Sequence, residues 1–155
     1  MSDRLGLVAA SLALCSSFAL LACDPETDDE SLDAQPFVDG VAKDTQGDAF
    51  RVVLTSRDGA LEVGENALLV RVGFHDPEDP LAPGVGIPEA RVQLSAWMPL
   101  DEGSSEAVSL HYAGDGQYLL DPVELDRPGI WQLDLEVDVG ATMRENVSFT
   151  FLVEG

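Results

Sequence analysis

Positive charge is what this chain has least of. Only 8 of its 155 residues are Lys or Arg, against 29 Asp or Glu, and the formal net charge is −21. A surface of that sign repels phosphate backbones and anionic lipid head groups, which excludes nucleic acid as a partner class. Histidine and cysteine are scarce too, at two residues each. So few imidazoles and thiols leave little material for a nucleophile–base pair, and Ser104-Ser105 has no recognisable partner, so the expectation is a protein that is not an enzyme. Asp115-Gly116 reads as a turn rather than a calcium loop. Helical periodicity is missing as well. What the chain does have is apolar residues, 45% of the total, too many for an acidic disordered polymer. The two facts together imply a packed core with a very acidic exterior.

The N-terminus holds part of that apolar content. Residues 1–22 have a short polar start with Arg4, an apolar run from Leu5 and small residues near the end, the layout of a secretory signal. Leu20-Leu21-Ala22-Cys23 resembles the bacterial lipoprotein signal box, in which the thiol takes a diacylglyceryl group and a small residue precedes the cut. Cys15 does not fit that pattern, because bulky Leu14 precedes it. Lipidation is therefore expected at Cys23, with a membrane-attached protein in the cell membrane or outer membrane whose domain faces periplasm or exterior. The mature chain then has no free thiol and no disulfide, and burial alone must hold it together.

From Cys23 to Asp48 the composition is acidic, with Pro and Gly and no sustained period, which predicts a disordered tether over 23–48. From there to residue 155 the period is two. "FRVVLT", "ALLVRVGFH", "ARVQLSA", "AVSLHY", "QYLLDPVEL", "WQLDLEVDV" and "VSFTFLV" each read as a strand with one apolar face. In the second, Leu68, Val70, Val72 and Phe74 share a face; in the fourth, Val108, Leu110 and Tyr112 do. The sixth is the cleanest, with Trp131, Leu133, Leu135, Val137 and Val139 on one side and four polar residues on the other. About seven such strands at short spacing predict an all-β, immunoglobulin-like sandwich over residues 49–155. Trp131 is the expected core anchor.

The order of motifs in this region resembles the YtkA-like family, which overlaps the FixH-like group of exported or membrane-anchored bacterial proteins. Val63-Gly64-Glu65-Asn66 precedes "ALLVRV", and Gly86-Ile87-Pro88-Glu89-Ala90-Arg91-Val92 leads into the next strand. Met98-Pro99 ends that strand, Gly114-Asp115-Gly116-Gln117-Tyr118 opens another, and Gly129-Ile130-Trp131 starts the penultimate one. The resemblance implies a small immunoglobulin-like sandwich without catalysis, in some members associated with copper handling or respiratory-oxidase assembly. Two soft ligands of that pattern are replaced here. Leu100-Asp101-Glu102 stands where relatives carry a His, and Arg127-Pro128 where they carry a Met.

Copper(I) favours thioether and imidazole ligands, so the candidates for a metal site are Met98, His75 and His111, with Met143 beside them. Their spacing matches no metal-binding motif. The reading preferred from the residues is structural: Met98 packed near Trp97, His111 solvated on a strand, and His75 at the start of a long, proline-stiffened loop with Asp76, Glu78 and Asp79. No cofactor is expected on that reading, with copper as the alternative. The functional expectation is a lipid-anchored binding or accessory domain, acting through its loops or sheet edges on another envelope protein, with a copper-handling or oxidase-assembly accessory protein as the alternative.

Overall fold

The computed structural model describes residues 34–79, 82, 84–101 and 107–155. The signal segment, Cys23, the first part of the expected tether, Pro80, Pro83 and Ser104-Ser105 lie outside the described residues.

Ten strands are described: β1 Gln35–Pro36, β2 Val41–Asp44, β3 Phe50–Ser56, β4 Gly64–Phe74, β5 Arg91–Trp97, β6 Val108–Ser109, β7 His111–Gly114, β8 Gln117–Leu125, β9 Gly129–Val139 and β10 Met143–Val153. They form two five-stranded sheets, ordered β1-β10-β9-β5-β6 and β2-β3-β4-β8-β7. The longer strands fall in the immunoglobulin arrangement, with β3, β4, β8 and β7 in one sheet as A, B, E and D, and β5, β9 and β10 in the other as C, F and G.

Alternation explains why these segments pair. Side chains of successive strand residues point to opposite faces, and here Trp131, Leu133, Leu135 and Val137 on β9 are buried together with Val147, Phe149, Phe151 and Val153 on β10. Phe50, Val52 and Leu54 on β3 and Leu68, Val70 and Val72 on β4 supply the facing layer. All of them join one hydrophobic cluster, with Trp131 a member as expected. Pro122 sits inside β8 where the ladder with β4 slips between Asn66↔Val123 and Leu68↔Leu120. A bulge of that kind tolerates a residue that cannot donate to the ladder.

Three expectations are corrected. The stretch 35–44, read as tether, carries β1 and β2. β1 runs parallel to β10 and β2 antiparallel to β3, so the segment between them crosses from one sheet to the other. Phe37 packs edge-on against Phe151, at 5.1 Å between ring centroids. "AVSLHY" is not one strand, because β6 belongs to one sheet and β7 to the other. Only Leu110, at the crossing, is buried, while Val108 and Tyr112 are exposed. Phe74 keeps the phase of Val72, directly opposite Phe50, yet at the end of its strand it is 48% exposed rather than buried with that face.

The strand registers define two ends. The chain enters at one of them, where β1 lies beside Phe151 and Leu152 and where β5 and β8 end and β9 begins. The opposite end carries the turn 45–49, the β4–β5 loop and the turn after Gly114.

Candidate binding cleft

At the entry end the two sheets separate along the β5–β6 edge and leave a cleft of about 520 Å³. Its floor is apolar. Leu94, Ala96 and Met98 come from the inner face of β5 and its extension, Trp131 from β9, and Leu120 and Val123 from β8. The volume lies within the range of small-ligand sites, which are mostly apolar with a few placed polar groups.

The sequence positions these residues by parity. Val92, Leu94 and Ala96 are buried on β5 and Met98 continues their phase, packed against the core cluster. Trp97 has the opposite phase and lies on the outer face, where its indole N–H donates to Asp134 Oδ2 at 2.7 Å. Both residues line the cleft, and the Met98 side chain reaches over Gly129, whose missing Cβ would stand 2.4 Å from the Met98 methyl. Gly129 has φ +142°, a region open chiefly to glycine. Trp131 is held by an indole N–H bond of 3.0 Å to the Arg127 carbonyl, which leaves its ring as cleft wall.

The rim is charged. Asp101, Glu124, Asp126 and Arg127 line it. The Arg127 guanidinium contacts Asp101 Oδ2 at 3.2 Å and Asp126 Oδ1 at 3.2 Å. Its charge is therefore matched locally and does not stand as a free barrier to cations. Three carboxylates against one guanidinium leave the rim acidic. Of the apolar side chains that line the cleft, Val108 stands exposed, at 48%.

The other candidates are placed elsewhere. His75 lies at the far end, with Nδ1 3.0 Å from Asp44 Oδ1. Asp44 also receives both Arg51 Nε and Nη2 at 2.8 Å. These two charge-assisted bonds from Arg51 hold the Asp44 carboxyl below the usual aspartate range, burial acts against them, and the His75 contact adds to the lowering. His111 is exposed on β7 opposite Leu119. Met143 opens β10 at the far end, 41% exposed. The structure thus brings none of Met98, His75 and His111 together. Among the described residues, no group of three or more His, Cys, Asp or Glu is arranged to hold a metal ion.

The described end of the β4–β5 loop, at Ile87 and Ala90, is tied to β8. The Tyr118 hydroxyl, buried beneath it, donates to the Ile87 carbonyl at 2.6 Å and accepts from Ala90 N–H at 2.9 Å. Burial raises the Tyr118 pKa, so this hydroxyl keeps its proton throughout the neutral range.

Reasoning from the sequence missed Asp101, Glu124, Asp126, Leu120 and Val123 as parts of one site. Parity alone could have placed Met98 with Leu94 and Ala96. No family model, curated protein or solved structure matches the chain. The resemblance to the YtkA-like family rests on the motifs quoted above.

Proposed function

We propose that this protein is a lipid-anchored cell-envelope domain that binds without catalysis, and that the intersheet cleft is its binding site. The observation that carries this reading is a cleft of about 520 Å³ with an apolar floor between the two sheets, with Val108 exposed in its lining. Apolar surface left uncovered in this way costs free energy in water and marks contact sites.

The anchor reading rests on the Leu20–Cys23 box. Ten residues lie between Cys23 and Ala34, where the described chain begins. That length spans at most roughly 40 Å when fully extended, half the reach expected for a tether ending at Asp48. The cleft is at the end where the chain enters, so the anchor holds it toward the membrane side.

Two measurements test the proposal. Labelled palmitate is incorporated into the wild type and not into Cys23→Ser, which becomes soluble. The neutral probe 4-phenyl-1-butanol quenches the tryptophan fluorescence of the full chain in a saturable way, and Val108→Trp, which plugs the mouth from a largely exposed position, abolishes saturation. Saturable binding that Val108→Trp leaves intact overturns the cleft as the site.

Copper handling is the second reading, favoured by one observation, the Met98 thioether half-exposed on the cleft floor. The neighbouring carboxylates are hard ligands that suit copper(I) poorly.

A further inference from the structure

We propose that the cleft selects ligands that join an apolar body to a positively charged head, an amphipathic amine or guanidine of small-molecule size. The inference rests on the cleft as binding site and adds the charge of what it takes.

The floor and rim differ in a way that fixes the orientation of such a ligand. The floor is built from the aliphatic and aromatic side chains of Leu94, Met98, Leu120, Val123 and Trp131. Trp131 spends its single N–H on the Arg127 carbonyl, so it offers the ligand an apolar ring rather than a donor. Among the described residues the charged groups of the lining stand at the rim. There Asp101 and Asp126 share one guanidinium, and Glu124 stands beside them. Ionised carboxylates accept and cannot donate. A ligand head with N–H donors and a positive charge finds partners at the rim, whereas a carboxylate or phosphate head meets repulsion. The wider field has the same sign, with 29 acids against 8 bases in the whole chain, and draws cations toward the mouth while excluding anions. Apolar burial supplies affinity and the rim supplies choice of charge.

Three probes of one shape separate these contributions: 4-phenylbutylamine, 4-phenyl-1-butanol and 4-phenylbutyrate, titrated into the full chain at pH 7 with tryptophan fluorescence as readout. The amine is expected to bind about five- to tenfold more tightly than the alcohol, in keeping with one or two exposed charge pairs. The butyrate is the weakest. In Glu124→Gln/Asp126→Asn the amine falls to the affinity of the alcohol, whose own affinity is unchanged. Raising salt from 0.05 to roughly 0.5 M weakens the amine and leaves the alcohol alone. Equal binding of amine and alcohol in the wild type overturns the charge selection while leaving the cleft as a site. An amine preference that survives the double substitution overturns the assignment to this rim. Failure of all three probes overturns the cleft reading itself, and the charge selection with it.

Discussion

The two ends of the sandwich solve the same problem differently. At both, strands stop and the apolar layer between the sheets must be closed off. The far end closes with polar side chains. Glu145, from the start of β10, accepts from the Thr45 hydroxyl and from Gly47 N–H at 3.1 Å, joining the turn 45–49 to the opposite sheet. Asp44, Arg51 and His75 form a second knot, and the Tyr118 hydroxyl a third under the β4–β5 loop. The entry end has ties of this kind at the β3–β4 turn, where the Asn66 side chain bonds Glu62 and Gly64 and Asp39 accepts from Ser56 N–H, but not around the cleft. Apart from Arg127, its cleft is walled by packing, with Met98 over Gly129 and Trp131 on the floor. The long loop, the more conspicuous functional candidate in the sequence, is tied at its described end through Ile87 and Ala90. Apolar side chains stand exposed at both ends, Val108 at the entry end and Phe74, Val85 and Met143 at the far end, and the proposed binding cleft lies at the first.

The largest expected effect falls on the packed end. Trp131 is 7% exposed and belongs to the core cluster, so Trp131→Ala is expected to lose about 3–5 kcal/mol of stability in urea unfolding. That is a large part of what an ordinary domain possesses. An unchanged midpoint would mean that the entry end is not held by packing, and the contrast between the ends would fail.

The far end is tested next, through Asp44→Asn. The change leaves the Arg51 guanidinium, whose side chain is 11% exposed, without its carboxylate, and a loss of about 1.5–3 kcal/mol is expected at pH 7. The pH dependence has a defined sign. Arg51 lowers the folded-state pKa of Asp44, so the ionised carboxylate stabilises the fold at pH values above the unfolded aspartate value of about 3.9. That stability is lost as pH falls through the lower folded value. As pH falls below about 4 the wild type and Asp44→Asn should therefore begin to converge, and they meet only once pH is below the lowered folded value. A constant difference between them across acid titration would remove the ion pair from the far-end knot.

What the sequence discloses follows the same division. The strands with strict alternation, β9 and β10, are legible because one face of each is buried along its whole length. β1 and β2 are not, since their residues Gln35–Pro36 and Val41–Asp44 carry no apolar period and are placed by edge pairing and by Phe37. The crossing at Leu110 is equally hidden, because a period of two cannot tell which sheet a residue belongs to. Asp44 and His75 lie 31 residues apart, and their meeting depends on the register of β2, β3 and β4. The cleft needs the separation of two sheets along one edge, which no local pattern contains. Its Met98, by contrast, shares the phase of Leu94 and Ala96, and that signal was present in the chain.

A smaller effect is expected at Gly129. Its φ of +142° and the Met98 methyl 2.4 Å from an added Cβ both oppose a side chain there. Gly129→Ala should cost about 1–3 kcal/mol from the backbone conformation alone, with a further penalty from the contact. The contact is with the flexible end of a side chain, so the double variant Gly129→Ala/Met98→Ala separates the two causes. A double-mutant cycle with favourable coupling, the pair being less damaging than the sum, is the expected result. Strict additivity would show that Met98 does not sit over Gly129.

The smallest stability effect belongs to Met98→Leu, and it decides between the two functional readings. The swap nearly conserves volume, so it should cost less than about 1.5 kcal/mol and leave the cleft lined by aliphatic carbon. It removes only the thioether. A tight copper(I) site needs several soft ligands converging on one point. His75 is held at the far end by Asp44, and His111 lies exposed on β7, so neither reaches the cleft. What surrounds Met98 is Asp101, Arg127 and Trp131, whose indole nitrogen is already committed to a carbonyl. The expected outcome is that wild type and Met98→Leu compete equally poorly with a copper(I) chelator under reducing conditions, while both bind 4-phenylbutylamine. A one-to-one copper(I) site in the wild type that vanishes in Met98→Leu would reverse the order of the two readings. It would assign the open end to metal transfer, with Met98 as its entry ligand, and the apolar floor would then serve to keep water from a thioether-bound ion.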